Sequence, residues 1–168
     1  MRLTSLKLNS LQDLFVEDLK DLYGAEQQII EALPKMIEAA HSEQLKNKFQ
    51  QHLIETQQQA RRLEEIFSML DMEPEAGPCE GMRGIIKEGQ IFISAEGDVN
   101  VKDAALIGAA QKVEHYEVAG YGTACTFAQV LGHHEIAQKL QTTLGQEKET
   151  DKILTQVAES SVNPSASM

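Results

Sequence analysis

The chain has 168 residues and a mass of 18.6 kDa, enough for one domain with a full hydrophobic core and too little for a two-domain enzyme. Hydrophobic residues make up 42% and charged residues 24%, a balance that excludes a disordered tail protein and a membrane-embedded one. The formal charge of -11 repels phosphate backbones and anionic lipid, so neither nucleic acid nor a membrane is an expected partner.

From the N-terminus, Met1 to Asn9 carries no long apolar run with a small-residue cleavage site. Ser10 is a plausible N-cap, and apolar residues at Leu11, Leu14, Phe15, Leu22, Ile29, Leu33, Ile37 and Ala40 predict a long amphipathic helix. Pro34 lies inside it and is expected to kink it or mark an irregular turn. After a break at His41 and Ser42, a second helix runs through Leu45, Phe49, Leu53, Leu63, Ile66, Phe67 and Leu70, antiparallel to the first across the short connection.

Asp71 to Asn100 is rich in glycine and proline and reads as a crossover with one short helix near Gly84 to Ser94. A third long helix is predicted from about Val101 to Leu131, ended by Gly132. A fourth spans about His133 to Glu159, and a Ser-rich tail over 160–168 is expected to fray. Two helical hairpins joined by one long crossover predict a single all-α domain, a four-helix bundle with ferritin-like connectivity and a core over about 10–160.

Cys79 and Cys125 are far apart and neither forms a C-x-x-C pair, so no zinc ribbon, iron–thiolate site or disulfide framework is expected, and the expected compartment is the cytoplasm. Cys125 reads as a small buried hydrophobe. His133, His134 and His41, near helix ends, read as capping residues.

The informative residues are acids on apolar stripes. At about 100° per residue, the fourth helix reads Ile136, Leu140, Leu144, Glu147, Asp151, Leu154, Ala158 along one face, with two carboxylates at its centre. In the first helix Glu26 sits between Leu22 and Ile29, and Asp18 shares that face one turn earlier. The third helix is apolar over most of its circumference, with Glu117 among Ala110, Val113, Tyr121 and Ala124 and with Glu114 close by. His115 falls on the other side. In the second helix His52 is inside the stripe and Glu55 towards its edge.

Depth agrees with direction. Glu26 lies 16 residues before the turn at residue 42 and Glu55 13 after it; Glu114 lies 18 before the turn at 132 and Glu147 15 after it. Each mismatch of three residues is about 4.5 Å of helix rise. An ionised carboxylate in a low-dielectric core costs several kcal/mol, so such a group must be protonated, salt-bridged or metal-bound. No Lys or Arg occupies a matching interior position, and oxygen ligands with some imidazole suit a pair of hard or borderline divalent cations.

The segments "DLYGAEQQI", "HLIET", "DAALIGAAQKVEHYEVAGYGT" and "EKETDKIL" resemble the YciF/YciE-type stress proteins of the ferritin-like superfamily over about Leu11 to Ala158. The resemblance implies a di-iron or di-manganese carboxylate site, a stress-associated role and dimer formation. The generic ferritin-like pattern pairs single glutamates with Glu-x-x-His motifs. This chain departs from it with His52-x-x-Glu55 reversed, Gln58 where a His is usual, and no His beside Glu147.

The expected ligands are therefore Glu26, His52, Glu55, Glu114, Glu117, Glu147 and Asp151. Glu55 and Glu147 would bridge two Fe or Mn ions, with hydroxyls from Tyr23, Tyr116 or Tyr121 in support. No organic cofactor is expected, catalytic residues are not identifiable, and a catalase-like or ferroxidase-like activity on a small oxidant such as peroxide stays open. The alternative is a non-catalytic bundle that keeps a vestigial site and presents a helical face to a partner. Association is expected as a homodimer, with Ile107, Val118 and Cys125 as the apolar candidates on the third helix, and not as a storage cage.

Overall fold

The computed structural model describes residues 6–168, so the first five residues of the N-terminal stretch read above lie outside it. Among the described residues every regular element is helical: α1 (Leu11–Ala39), α2 (Glu43–Met69), α3 (Glu80–Ile93), α4 (Val99–Val130), α5 (His134–Val157), a π-helical turn (Ala158–Val162) and α6 (Asn163–Ala166). None is long and apolar enough to cross a membrane. α1 packs on α2 and α4 on α5, α1 also meets α4 and α2 meets α5, and α3 lies against α1 and α4.

The termini follow local chemistry. Ser10, Ser42 and Asp98 accept backbone N–H bonds as N-caps of α1, α2 and α4. Gly132, at φ +80, ends α4 in a Schellman motif: its N–H reaches the Gln129 carbonyl and the next N–H, of His133, reaches Ala128. Asp71 takes the same left-handed place after α2, at φ 55. The α1–α2 turn is fixed from α4, because the buried Asp103 carboxylate accepts the N–H groups of His41 and Ser42 at 2.7 Å each.

Several expectations change. α1 stays α-helical through Pro34, so no irregular turn interrupts it there. The crossover helix begins four residues earlier than predicted, at Glu80. The Ser-rich end carries on as the π-helical turn and α6, because Val162 is buried in the apolar core. His133 occupies the N-cap position of α5 without a capping bond and reaches Gln12 of α1 instead. The α1–α2 turn is capped by Ser42 and Asp103, and His41 contributes its backbone N–H there.

The crossover is strapped to α1. The Gly77 N–H donates to the Lys20 carbonyl at 2.7 Å, and a Cβ at Gly24 would overlap the Gly77 carbonyl oxygen. Next to it Tyr116 donates to Asp21 at 2.9 Å, with the buried Cys79 thiol 3.2 Å from both. α3 then places Met82, Ile85 and Ile86 against the same core as Ile107. Of the apolar candidates for a dimer face, Ile107 is thereby buried within the chain, Cys125 is buried against α5, where its thiol meets the Ala137 carbonyl, and Val118 is partly buried.

Two apolar clusters form the interior. One joins Phe15, Leu19 and Leu22 to Leu63–Phe67, Tyr121–Ala128 and Ile136–Leu144; the other joins Ile29–Met36 to Leu45, Phe49, Leu106–Val113 and Leu154. A layer of buried polar residues falls at their junction on every long helix: Glu26, then His52, Thr56 and Gln59, then Glu114 and Glu117, then Glu147.

Candidate metal centre

Each long helix delivers its polar residue through the same stripe that delivers its apolar ones. On α2 the inward face runs Leu45, Phe49, His52, Thr56, Gln59, Leu63, Ile66 in steps of three or four, so His52 and Gln59 are core positions that carry heteroatoms. On α4, Glu114 and Glu117 are one turn apart on one face.

One ligand atom from each of His52, Glu114, Glu117 and Glu147 can be chosen so that all four lie within 4.8 Å of one another, and all four residues are buried. His52 Nδ1 is 3.3 Å from Glu114 Oε1. Glu26 stands beside the group, accepting a hydrogen bond from the Tyr121 hydroxyl, and Glu147 accepts one from the Gln59 amide.

Electrostatically this is a stack of acids with too few donors. Burial raises Glu26, Glu114 and Glu117 well above the usual carboxylate range, and charge on their neighbours, Glu147 foremost for Glu26 and Glu114 and Glu26 for Glu117, adds to the effect. Glu147 is raised too, by burial, while the Gln59 amide and nearby acids pull it back. Burial also pushes His52 down to about 4, which leaves it neutral with a free lone pair.

Nine buried side-chain atoms among the described residues have no hydrogen-bond partner, and all belong to this layer: one oxygen each on Glu26, Gln59 and Glu147, both oxygens of Glu114 and Glu117, and both His52 nitrogens. Carboxylates facing one another are acceptors only and satisfy each other only by sharing protons. A bound divalent cation satisfies the oxygens and the imidazole together, so this donor set fits one.

The other predicted residues lie elsewhere. Glu55 is half-buried, accepts from Gln51 at 3.0 Å, and lines an opening between α2 and α5 that reaches His52. Asp151 turns to the outer side of α4, where Gln111 donates to it at 3.0 Å and His115 lies 3.3 Å away. Asp18 is half-buried and away from the cluster. Of the three tyrosines only Tyr121 reaches the layer; Tyr23 donates to Glu64 and Tyr116 to Asp21.

Gln59, an amide, also belongs to this layer, and the pattern of acids alone does not mark it. Its signal was present, since it is a polar residue seven positions after His52 on the stripe that holds Leu63 and Ile66.

The chain matches the model of a family described as a domain of unknown function (DUF892) over residues 10–167. It is 40% identical over 162 residues to Protein YciF of Escherichia coli (strain K12), covering 96% of this chain and 98% of that protein. Its fold matches the crystal structure of the E. coli stress protein YciF with a TM-score of 0.89 at 40% identity, over 93% of this chain and 99% of that one. It matches YcfI of Rhodopseudomonas palustris with a TM-score of 0.88 at 41% identity, over 90% and 97% of the two chains. A protein of Xanthomonas campestris pv. campestris, 24% identical with a TM-score of 0.71 over 90% of this chain and 92% of its own, shares the fold alone. The chain belongs to the DUF892 family of YciF-like proteins.

Proposed function

We propose that the protein is a ferritin-like four-helix bundle that binds redox-active divalent metal, a pair of Fe or Mn ions, and consumes peroxide or oxidises Fe(II) in a stress response. The observation that carries this is the confinement of all nine unpartnered buried atoms to one mid-helix layer containing three mutually close carboxylates and a neutral imidazole. His52, Glu114, Glu117 and Glu147 would hold the first ion, and Glu26 lies next to them for a second. Glu55 stands at the α2–α5 opening, where its charge acts on Glu147. The stress role rests on the description of the E. coli relative.

The ions, when bound, supply one-electron chemistry towards dioxygen or peroxide. The protein's own residues prepare the place. Gln59 orients Glu147 through its amide, and Tyr121 fixes one oxygen of Glu26. The apolar clusters on either side exclude water and lower the local dielectric, which strengthens every contact between carboxylate and cation.

The test is equilibrium dialysis of untagged, metal-stripped protein against Mn(II) and Fe(II), followed by elemental analysis. The reading requires saturable uptake near two ions per chain, lost in the double variant Glu114→Ala/Glu117→Ala. Wild-type protein that takes up no more metal than this variant contradicts it.

A further inference from the structure

A half-buried cation ties α2 to α5 beside the polar layer. Arg62 stands three residues after Gln59 on α2, and its guanidinium crosses to α5, where it donates to the Thr143 hydroxyl at 2.5 Å and to the Gln146 side-chain oxygen at 3.0 Å. Thr143 and Gln146 lie four residues and one residue before Glu147, so the tie falls within about one turn of the layer. The same Gln146 oxygen faces the Gln59 amide nitrogen at 3.5 Å, a long contact, and that nitrogen donates to one oxygen of Glu147. The second Glu147 oxygen has no partner.

We propose that Arg62 is a positioning residue of the metal centre: it pins the Gln146 oxygen, thereby holds the Gln59 amide with its nitrogen towards Glu147, and so keeps one Glu147 oxygen bonded while the other is left for a cation. The proposal deepens the reading of the layer as a metal centre and rests on it for the effect on metal, whereas the hydrogen-bond chain stands without it. A primary amide fits either way round, because its oxygen and nitrogen differ little in size, but a guanidinium only donates. While Arg62 is bonded to it, Gln146 must present its oxygen. A Gln59 turned over would then bring its own carbonyl against that oxygen and the Glu147 carboxylate, three acceptor groups together. Without Arg62, Gln146 can turn its NH₂ inward, Gln59 can turn its oxygen to meet it, and Glu147 loses its donor. A site that spends part of its time in that second arrangement binds more weakly in proportion to the fraction still correctly arranged.

The test is a double-mutant cycle on the full chain, Arg62→Met with Gln59→Leu, read by calorimetric titration with Mn(II). Arg62→Met keeps the aliphatic stem and removes the donors. It is expected to lower Mn(II) affinity at least about threefold in the wild-type background and by less than about 1.5-fold where Gln59 is already Leu. The sign is diagnostic, since a positive charge beside a cation site repels the cation, and removing Arg62 would tighten binding if it acted by charge alone. Gln146→Met breaks the same chain from α5 and is expected to match Arg62→Met, which guards against a folding defect in either variant. A second readout needs no metal: in metal-free protein the Gln59 side-chain NH₂ protons should exchange slowly in the wild type, and should shift and exchange faster in both variants. Mn(II) affinity that is unchanged or tighter in Arg62→Met, an equal loss in both Gln59 backgrounds, or Gln59 NH₂ signals unchanged in both variants would overturn the proposal. A wild type that takes up no Mn(II) would overturn the metal reading, and the Gln59 signals would still decide the role of Arg62.

Discussion

His52 on α2 and Glu114 on α4 face each other across the interior, Nδ1 to Oε1 at 3.3 Å, with 4% and 0% of their side chains exposed. Burial keeps the imidazole neutral, so this is no ion pair at neutral pH. Its neighbours Glu117 and Glu147 are also buried acids. These acids and the imbalance of acceptors over donors among them make the layer a place for a cation.

Glu147→Ala should lower divalent-metal affinity roughly tenfold or more, and Glu149→Ala should not. Glu147 is fully buried in the layer, whereas the Glu149 side chain is 59% exposed beside Lys152. Calorimetric titration with Mn(II) compares them, and equal affinities in the two variants would refute the assignment.

Metal-free protein should lose stability as pH rises above about 6.5. The raised carboxyls bind more protons folded than unfolded, so their contribution is full below the unfolded carboxyl range and disappears as pH climbs through their folded values. His52 works in the opposite sense only between about 4 and its ordinary 6.5, so above that window the acids act alone. Excess Mn(II) should reverse the slope, since binding displaces the protons. Melting curves at pH 6.5, 7.5 and 8.5, with and without metal, test both signs.

Gln59→Leu should weaken metal binding without unfolding the chain. The substitution keeps an apolar-compatible shape on the α2 stripe but removes the amide that orients Glu147. A loss of about 1.5–3 kcal/mol in binding free energy is expected, the scale of a hydrogen bond to a charged group. Unchanged Mn(II) affinity would make Gln59 a packing residue only.

Gly24→Ala should destabilise by about 1–3 kcal/mol, because the new methyl collides with the backbone of the crossover strap. Gly108→Ala, in the same kind of helical setting but with no atom within 4 Å of an added Cβ, should stabilise by about 0.5–1 kcal/mol. Urea denaturation of the two variants should shift in opposite directions.

The acids of the layer were legible because each interrupts an apolar stripe: Glu26 between Leu22 and Ile29, Glu147 between Leu144 and Leu154. Direction on a helix is readable from spacing, but only to within about one position. Glu55 lies at the edge of the α2 stripe and stays half-buried, whereas Gln59 lies on it, seven positions after His52, and a pattern of acids alone does not single out an amide. Asp151 fits the α5 stripe by spacing, yet Gln111 and His115 on α4 draw it outward. The C-terminal helix was illegible for a different reason: its polar composition favours fraying, and burial of one residue, Val162, overrides it.

Anomalous scattering from crystals grown or soaked in Mn(II) locates bound ions. Peaks are expected within inner-sphere distance of His52, Glu114, Glu117 and Glu147, with a second position shared by Glu26. Crystals saturated with Mn(II) that show anomalous density only at surface acids, and none among these side chains, would contradict the metal centre.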